Sequence, residues 1–264
     1  MIIAIPRLNL NVSNLNNSTS TIRWQKKQEG QQIIWTDERY GAEISSQWFE
    51  PTYWQNQQAV VGTSKGRYTT HFVRHQSEEN DVTMVLRHYY RGGMIRHFNR
   101  DKFLYSGLES CRSIKELKLL KYMVELDLPV PKPVAGRVTR HAGLWYSNDI
   151  LIELIKDAKD GFNHLLNASL PEETWEKIGK VIKQFHLSGI YHADLNIHNI
   201  LISNQLNDIY LIDFDRCEQR AANKDWQDAN LQRLKRSLVK ELGLHKTFNF
   251  KEQDWQCLMA GYRE

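Results

Sequence analysis

Cysteine is scarce in this chain. Cys111, Cys217 and Cys257 stand far apart among 264 residues, and none belongs to a CxxC pair. That spacing argues against a thiolate zinc site and a disulfide framework, and it fits a reducing compartment. Long apolar runs are missing as well. No stretch of about 18 apolar residues occurs, which excludes a transmembrane helix at the level of the sequence. The opening MIIAIPRLNLNVSNLNNSTST has no basic start and no long apolar core, and it turns rich in Asn, Ser and Thr almost at once. Residues 1–28 therefore read as a disordered extension rather than a signal peptide. The net charge of +4 is too small to demand nucleic acid. Basic residues do gather from Arg87 to Arg100 and from Arg216 to Lys240, as an anionic ligand, a membrane surface or a solvated face would each require. The expectation is a soluble, cytoplasmic protein of one large domain or two lobes around a cleft.

The chain changes character along its length. Residues 33–41 read as an early strand and turn, and Trp48 to Gln58 as a short helix or loop. From Ala59 the pattern becomes β: Val60 and Val61, a Gly-containing turn (Gly62, Ser64, Gly66), Tyr68 to Arg74, then Val82 to Tyr89. Ser113 to Leu126 carries Ile114, Leu117, Leu120 and Val124 on one helical face. Three prolines in LPVPKPVAGRV then enforce extended backbone, and Asp149 to Ile155 reads as a strand. Beyond it the chain turns helical, with Trp175, Ile178, Ile182 and Phe185 at helix spacing within Glu172–Leu187. From Trp226 onward it reads as helices. The expected fold is α+β: a β-rich N-terminal lobe over 29–155 and a larger helical lobe over 156–264.

The chemistry concentrates in HADLNIHNILI, beginning at His192, and LIDFD, ending at Asp215. Two apolar runs, Ile200 to Ile202 and Ile209 to Ile212, flank a polar turn, so a β-hairpin carries Asp194, Asn199 and Asp213 to one edge. Phosphoryl transfer from ATP to a hydroxyl needs these groups. One carboxylate orients the hydroxyl and accepts its proton, while an Asn and a second Asp hold the bridging metal. Mg²⁺ takes oxygen ligands and keeps waters, so two side chains suffice beside the nucleotide. On this reading Asp194 is the base and Asn199 and Asp213 are the metal ligands. The segment resembles the protein-kinase-like fold, with HAD for HRD and DFD for DFG.

That resemblance implies further parts. A strand cation should meet the ATP phosphates and a helix Glu should hold it. In the strand Met84-Val85-Leu86-Arg87, Arg87 stands where Lys is usual, with His88 and Arg91 as rivals. Glu116 is the expected partner and Glu109 the second choice. Gly62 and Gly66 either let backbone N–H groups approach phosphates or form an ordinary hairpin turn. Glu153 falls where the connection between lobes would meet adenine. His192 should pack beneath the loop, His186 should pack in the core, and Asn196 takes a position often held by a cation.

The flanking segments VLRHYYRGGMIR, FLYSGLESCRSIKELKLL, LPVPKPVAGRV, IYHADLNIHNILI, YLIDFDRCEQR and NLQRLKRSL are similar to the lipopolysaccharide-core kinase family over residues 30–264. The resemblance implies ATP-dependent phosphorylation of the O-4 hydroxyl of a 3-deoxy-D-manno-octulosonic acid (Kdo) residue on Kdo–lipid A. It also implies a peripheral enzyme on the cytoplasmic face of the inner membrane, with ATP and Mg²⁺ as its requirements. Arg91, Arg96, Asn196 and Arg216 are the candidates to contact such an anionic acceptor. The helix with Leu231, Leu234 and Leu238, interspersed with Arg233, Lys235 and Arg236, either lies on an anionic membrane or packs its leucines into the core. Two other readings stay open: the same fold acting on another hydroxyl, and a non-catalytic module with Arg87 replacing lysine.

Overall fold

The structure, a computed structural model, describes residues 22–41, 43–65, 69–77, 81–91 and 101–264. Its N-terminal half is built on a fully antiparallel sheet. The strands are β1 (Trp24–Glu29), β2 (Gln32–Asp37), β3 (Val60–Lys65), β4 (Thr69–Gln76), β5 (Asp81–His88), β6 (Phe103–Leu104), β7 (Pro133–Arg140) and β8 (Trp145–Glu153). They run in the order β1-β2-β7-β8-β5-β4-β3, and β6 pairs with the start of β8. β7 and β8 lie in the middle of this order and are buried for most of their lengths. At one end β1 is a polar edge strand whose sequence WQKKQE shows no buried residue. Residues 24–28 therefore belong to the sheet and not to an N-terminal extension. They lack the apolar alternation that marks a half-buried strand because both faces meet solvent or rim residues.

Alternation along β5 has a direct consequence. Met84 and Leu86 point to one face, into a cluster with Trp48, Phe49 and Trp54 from the short helix α1 (Pro51–Asn56) and the 3-10 turn before it. Successive side chains in a strand face opposite sides, so Val85 and Arg87 fall on the other face. That face is covered by α2 (Arg112–Glu125), which buries Ile114, Leu117, Leu120 and Met123. Gly136 on β7 permits the approach, because a Cβ there would lie 2.6 Å from Leu117 Cδ1.

After β8 the chain forms β9 (Ala158–Asp160), α3 (Gly161–Asn167), α4 (Glu172–Leu187), β10 (Ile190–Tyr191), β11 (Ile200–Ser203), β12 (Ile209–Leu211), β13 (Glu218–Gln219), α5 (Lys224–Leu244) and α6 (Glu252–Arg263). β11 and β12 form the hairpin, with β9 on its far side, and β10 pairs with β13. Helices α4 and α6 press together where Gly179 faces the Leu258 carbonyl and Gly261 faces that of Glu176. Leu231, Leu234 and Leu238 of α5 are buried, which overturns the idea that this leucine stripe lies on a membrane. Among the described residues no helix is long and apolar enough to cross one.

Candidate active site

The loop from His192 to Asn199 is held by its own polar side chains. The His192 Nδ1 accepts the Asp194 N–H at 3.2 Å, and its Nε2 donates to the Ile212 carbonyl at 3.0 Å. Both ring nitrogens are thereby assigned and the ring is neutral, in keeping with burial, which pushes its pKa below the usual histidine range. Asn196 caps the 3-10 turn at 197–199 by accepting the His198 N–H at 2.9 Å, and its Nδ2 donates to the Asp194 carbonyl at 2.9 Å. Asn199 Nδ2 donates to the same carbonyl at 3.0 Å. The Ile212 N–H donates to the Asn199 carbonyl at 3.0 Å, so the residue before Asp213 is pinned beside Asn199. Phe214, buried, stacks on Phe185 and packs against the His192 ring. Asp194, Asn199 and Asp213 are thus brought together at one end of the β11–β12 hairpin.

Asp213 adopts a left-handed backbone, φ +63°, which Asp tolerates better than most residues. Its carboxylate meets Arg87 Nη1, which β5 presents to the hairpin. Arg87 Nη2 lies 2.5 and 2.6 Å from the two oxygens of Glu116, and Tyr89 Oη donates to Glu116 at 2.6 Å. Glu116 is only 3% exposed. Burial alone would lower the Arg87 pKa, but Glu116 and Asp213 outweigh it and hold the guanidinium well above its usual value. Burial likewise lifts the Glu116 carboxyl above its usual range, while Arg87 pulls it back. The Arg87 Nε is buried and donates to nothing among the described residues.

The rival cations lie elsewhere. His88 is taken by Asp149 at 2.6 Å and Asp101 at 3.3 Å. Arg91 stacks over Phe103 and Trp145. Glu109 pairs with Lys118 at the surface.

Several expectations change. Gly62 sits inside β3 beside a register shift, where a Cβ would lie 3.1 Å from the Phe72 ring, so it serves strand packing rather than a loop. Gly66 and Arg96 lie outside the described residues. The Glu153 N–H is committed to the Lys132 carbonyl at 2.8 Å, and its carboxylate accepts from Tyr40 and Arg39 at 3.3 and 3.4 Å. It therefore has no backbone donor left for adenine. Asn196 is consumed in shaping the loop.

Sequence reasoning missed Arg112. Its Nε donates to Asp215 at 2.8 Å, and its guanidinium lies 4.9 Å from the Phe103 ring whose neighbourhood Arg91 shares. Arg112, Lys115 and Arg216 border a cavity of about 270 Å³, also lined by Glu116, Phe214 and Cys217. Arg216 is highly exposed, and its Nε is 3.8 Å from Asp215. A basic edge therefore adjoins the Asp213–Asp215 segment.

The donor set suits a hard cation. The amide nitrogen of Asn199 is tied to the loop while its Oδ1 accepts no hydrogen bond among the described residues, and only one Asp213 oxygen is engaged, by Arg87. One carboxamide oxygen and one carboxylate match the oxygen preference of Mg²⁺ shared with a nucleotide. Among the described residues no cluster of three or more His, Cys, Asp or Glu forms a self-sufficient metal cage.

Comparison with known proteins agrees with this chemistry. The sequence profile of the "Lipopolysaccharide kinase (Kdo/WaaP) family" matches residues 51–262. A Haemophilus influenzae (strain PittEE) protein named 3-deoxy-D-manno-octulosonic acid kinase is 41% identical over 91% of this chain and 99% of its own length. One of the same name from Vibrio parahaemolyticus is 38% identical over 89% of this chain and 95% of its own length. A solved structure described as "WaaP in complex with acyl carrier protein" aligns with a TM-score of 0.48 and 14% identity, covering 81% of this chain and 86% of that one.

Proposed function

This chain belongs to the lipopolysaccharide kinase (Kdo/WaaP) family, and on that premise we propose that it transfers the γ-phosphoryl group of ATP to the O-4 hydroxyl of Kdo on Kdo–lipid A. The observation that carries the reading is the shared hydrogen-bond frame of Asp194, Asn199 and the Ile212–Asp213 step. It is supported by relatives named for this kinase that match over nearly their whole length.

Asp194 accepts the hydroxyl proton as the oxygen attacks, which is general-base work for a carboxylate within hydrogen-bond reach. Asn199 Oδ1 and Asp213 would hold Mg²⁺. Bound there, the ion neutralises charge on the phosphates. Arg87, aimed by Glu116, exchanges its Asp213 contact for nucleotide phosphate oxygens, and its fork geometry suits them. Glu153 has its own N–H spent on Lys132, so it meets adenine through its backbone carbonyl alone and the donor to the ring comes from a later residue.

The acceptor is lipid-linked and anionic, so the enzyme works peripherally at the cytoplasmic face of the inner membrane. Arg91, Arg112, Lys115 and Arg216 meet the acceptor's carboxylate or phosphates. The test is incubation with Kdo–lipid A, ATP and Mg²⁺, followed by mass analysis and location of the added group. One added phosphate at O-4 supports the proposal. An unmodified Kdo–lipid A, with phosphate entering a different sugar hydroxyl, assigns the chain another acceptor.

A further inference from the structure

One face of α5 carries four polar residues that grip the loop. Asn230, Arg233, Ser237 and Glu241 follow at intervals of three and four, so they share a helix face. They meet His192, Asp194, Ile197 and His198 in the same order. Asn230 accepts the His192 N–H at 3.2 Å and donates to its carbonyl at 3.1 Å. Ser237 Oγ accepts the Ile197 N–H at 3.1 Å, and Glu241 lies 3.4 Å from His198 Nε2. These three contacts fix the loop's frame. The remaining one ends on the carboxylate itself: Arg233 Nη1 donates to Asp194 Oδ1 at 3.2 Å.

We propose that Arg233 is a positioning residue for phosphoryl transfer, holding the Asp194 carboxylate in its working orientation from α5. This rests on the reading of Asp194 as the base. The backbone N–H and carbonyl of Asp194 are tied by His192, Asn196 and Asn199, but those bonds leave its side-chain torsions open. Among the described residues, Arg233 is the one group that bonds its carboxylate. Asn196, two positions after the base, is occupied with capping the turn and brings no charge. The cation comes instead from a helix 39 residues further along the chain.

The contact is poorly suited to a structural role. Arg233 and Asp194 are 45% and 55% exposed in their side chains, and exposed ion pairs contribute little to stability. α5 is seated by Leu231, Leu234 and Leu238 and clamped by Asn230 without it. Its value rises when substrates displace water from the cleft, because charge interactions strengthen as local water is lost.

The test compares Arg233→Ala, Arg233→Lys and the neighbouring control Arg236→Ala, whose exposed side chain makes no hydrogen bond or ion pair among the described residues, with Asp194→Ala in parallel. Arg233→Ala is expected to lower kcat by about 10- to 100-fold, the scale of a misplaced reacting group. Both KM values and the thermal midpoint should stay near wild type. Lysine at 233, or guanidinium ion added to the alanine variant, should restore part of the rate, and Arg236→Ala should match wild type. Wild-type kcat in Arg233→Ala while Asp194→Ala is dead overturns the positioning role alone. So does a loss that follows thermal stability and that neither lysine nor guanidinium relieves, or one confined to the KM for ATP. Full turnover by Asp194→Ala removes the base assignment, and the proposal with it.

Discussion

A single nitrogen of Arg87, Nη2, lies 2.5 and 2.6 Å from the two carboxylate oxygens of Glu116, which α2 buries against the sheet. The same guanidinium reaches Asp213 with its other terminal nitrogen. Arg87 therefore links strand, helix and hairpin before any nucleotide arrives, and its position depends on α2 being docked.

Breaking that link should cost both stability and nucleotide affinity. Arg87→Met leaves Glu116 buried without its cation, and removing one partner of a buried ion pair costs about 3–5 kcal/mol. Urea denaturation should show a loss of that order, partly recovered in Arg87→Met/Glu116→Gln, where no unpaired charge remains. The KM for ATP should rise in both variants. Arg87→Lys should keep more activity than Arg87→Met, since it keeps the charge but not the fork. Equal stability of Arg87→Met and wild type would show that the pair is not coupled to folding.

Asn199 and Asp213 should set the metal requirement. Asn199→Ala removes a neutral oxygen and a loop-bracing donor together. The Mg²⁺ concentration for half-maximal rate should rise by at least about tenfold, the scale at which even outer-shell partners matter. Chelation should abolish wild-type activity, and added Mg²⁺ should restore it. An unchanged Mg²⁺ titration in Asn199→Ala would remove that residue from the ligand set.

Acid stability should depend on His186. It is buried, bonded to Tyr262 Oη at 2.8 Å, and burial pushes its pKa down to about 4. The unfolded chain then binds a proton near pH 6.5 that the folded protein refuses until about pH 4, so stability falls as pH drops through that window. The full effect is roughly 3 kcal/mol by the linkage relation. His192 is lowered in the same sense. His88 has its pKa raised, since its carboxylate neighbours outweigh burial, so its own contribution fades only above pH 6.5. Urea titrations at several pH values should give a flatter acid limb for His186→Gln than for wild type. Matching limbs would contradict the assignment.

The basic edge should control acceptor affinity. Arg216→Ala and Arg91→Ala are expected to raise the KM for Kdo–lipid A several-fold with the KM for ATP unchanged. Added salt should weaken wild-type acceptor binding, because exposed charges are screened over about 8–10 Å at moderate ionic strength. An acceptor KM that ignores both the substitutions and salt would move the acceptor away from this edge.

Much of this arrangement was legible in the sequence, for reasons that differ by element. The β11–β12 hairpin announced itself because two apolar runs flank a polar turn, and α4 because Trp175, Ile178, Ile182 and Phe185 repeat at helical spacing. Glu116 was reached through the kinase resemblance, from its place early in the helix before the proline-rich segment. β1 was not legible, because an edge strand reading WQKKQE has no apolar face to declare it. Gly62 was misread because a bulge in β3 and a loop both favour glycine. The pairs Arg112–Asp215 and Arg233–Asp194 join residues 103 and 39 positions apart. No local pattern signals them, and the leucine stripe of α5 drew attention away from the polar face beside it.

The most direct measurement is phosphate incorporation into Kdo–lipid A by wild-type protein and by Asp194→Ala, with ATP affinity determined for both. Wild type should add one phosphate per acceptor. Asp194→Ala should lose about 10²- to 10⁴-fold in rate, the range for a general base, while binding ATP within a few-fold of wild type. Turnover by Asp194→Ala at the wild-type rate, or no transfer to Kdo–lipid A by a wild-type protein that binds Mg²⁺ and ATP, would contradict the account.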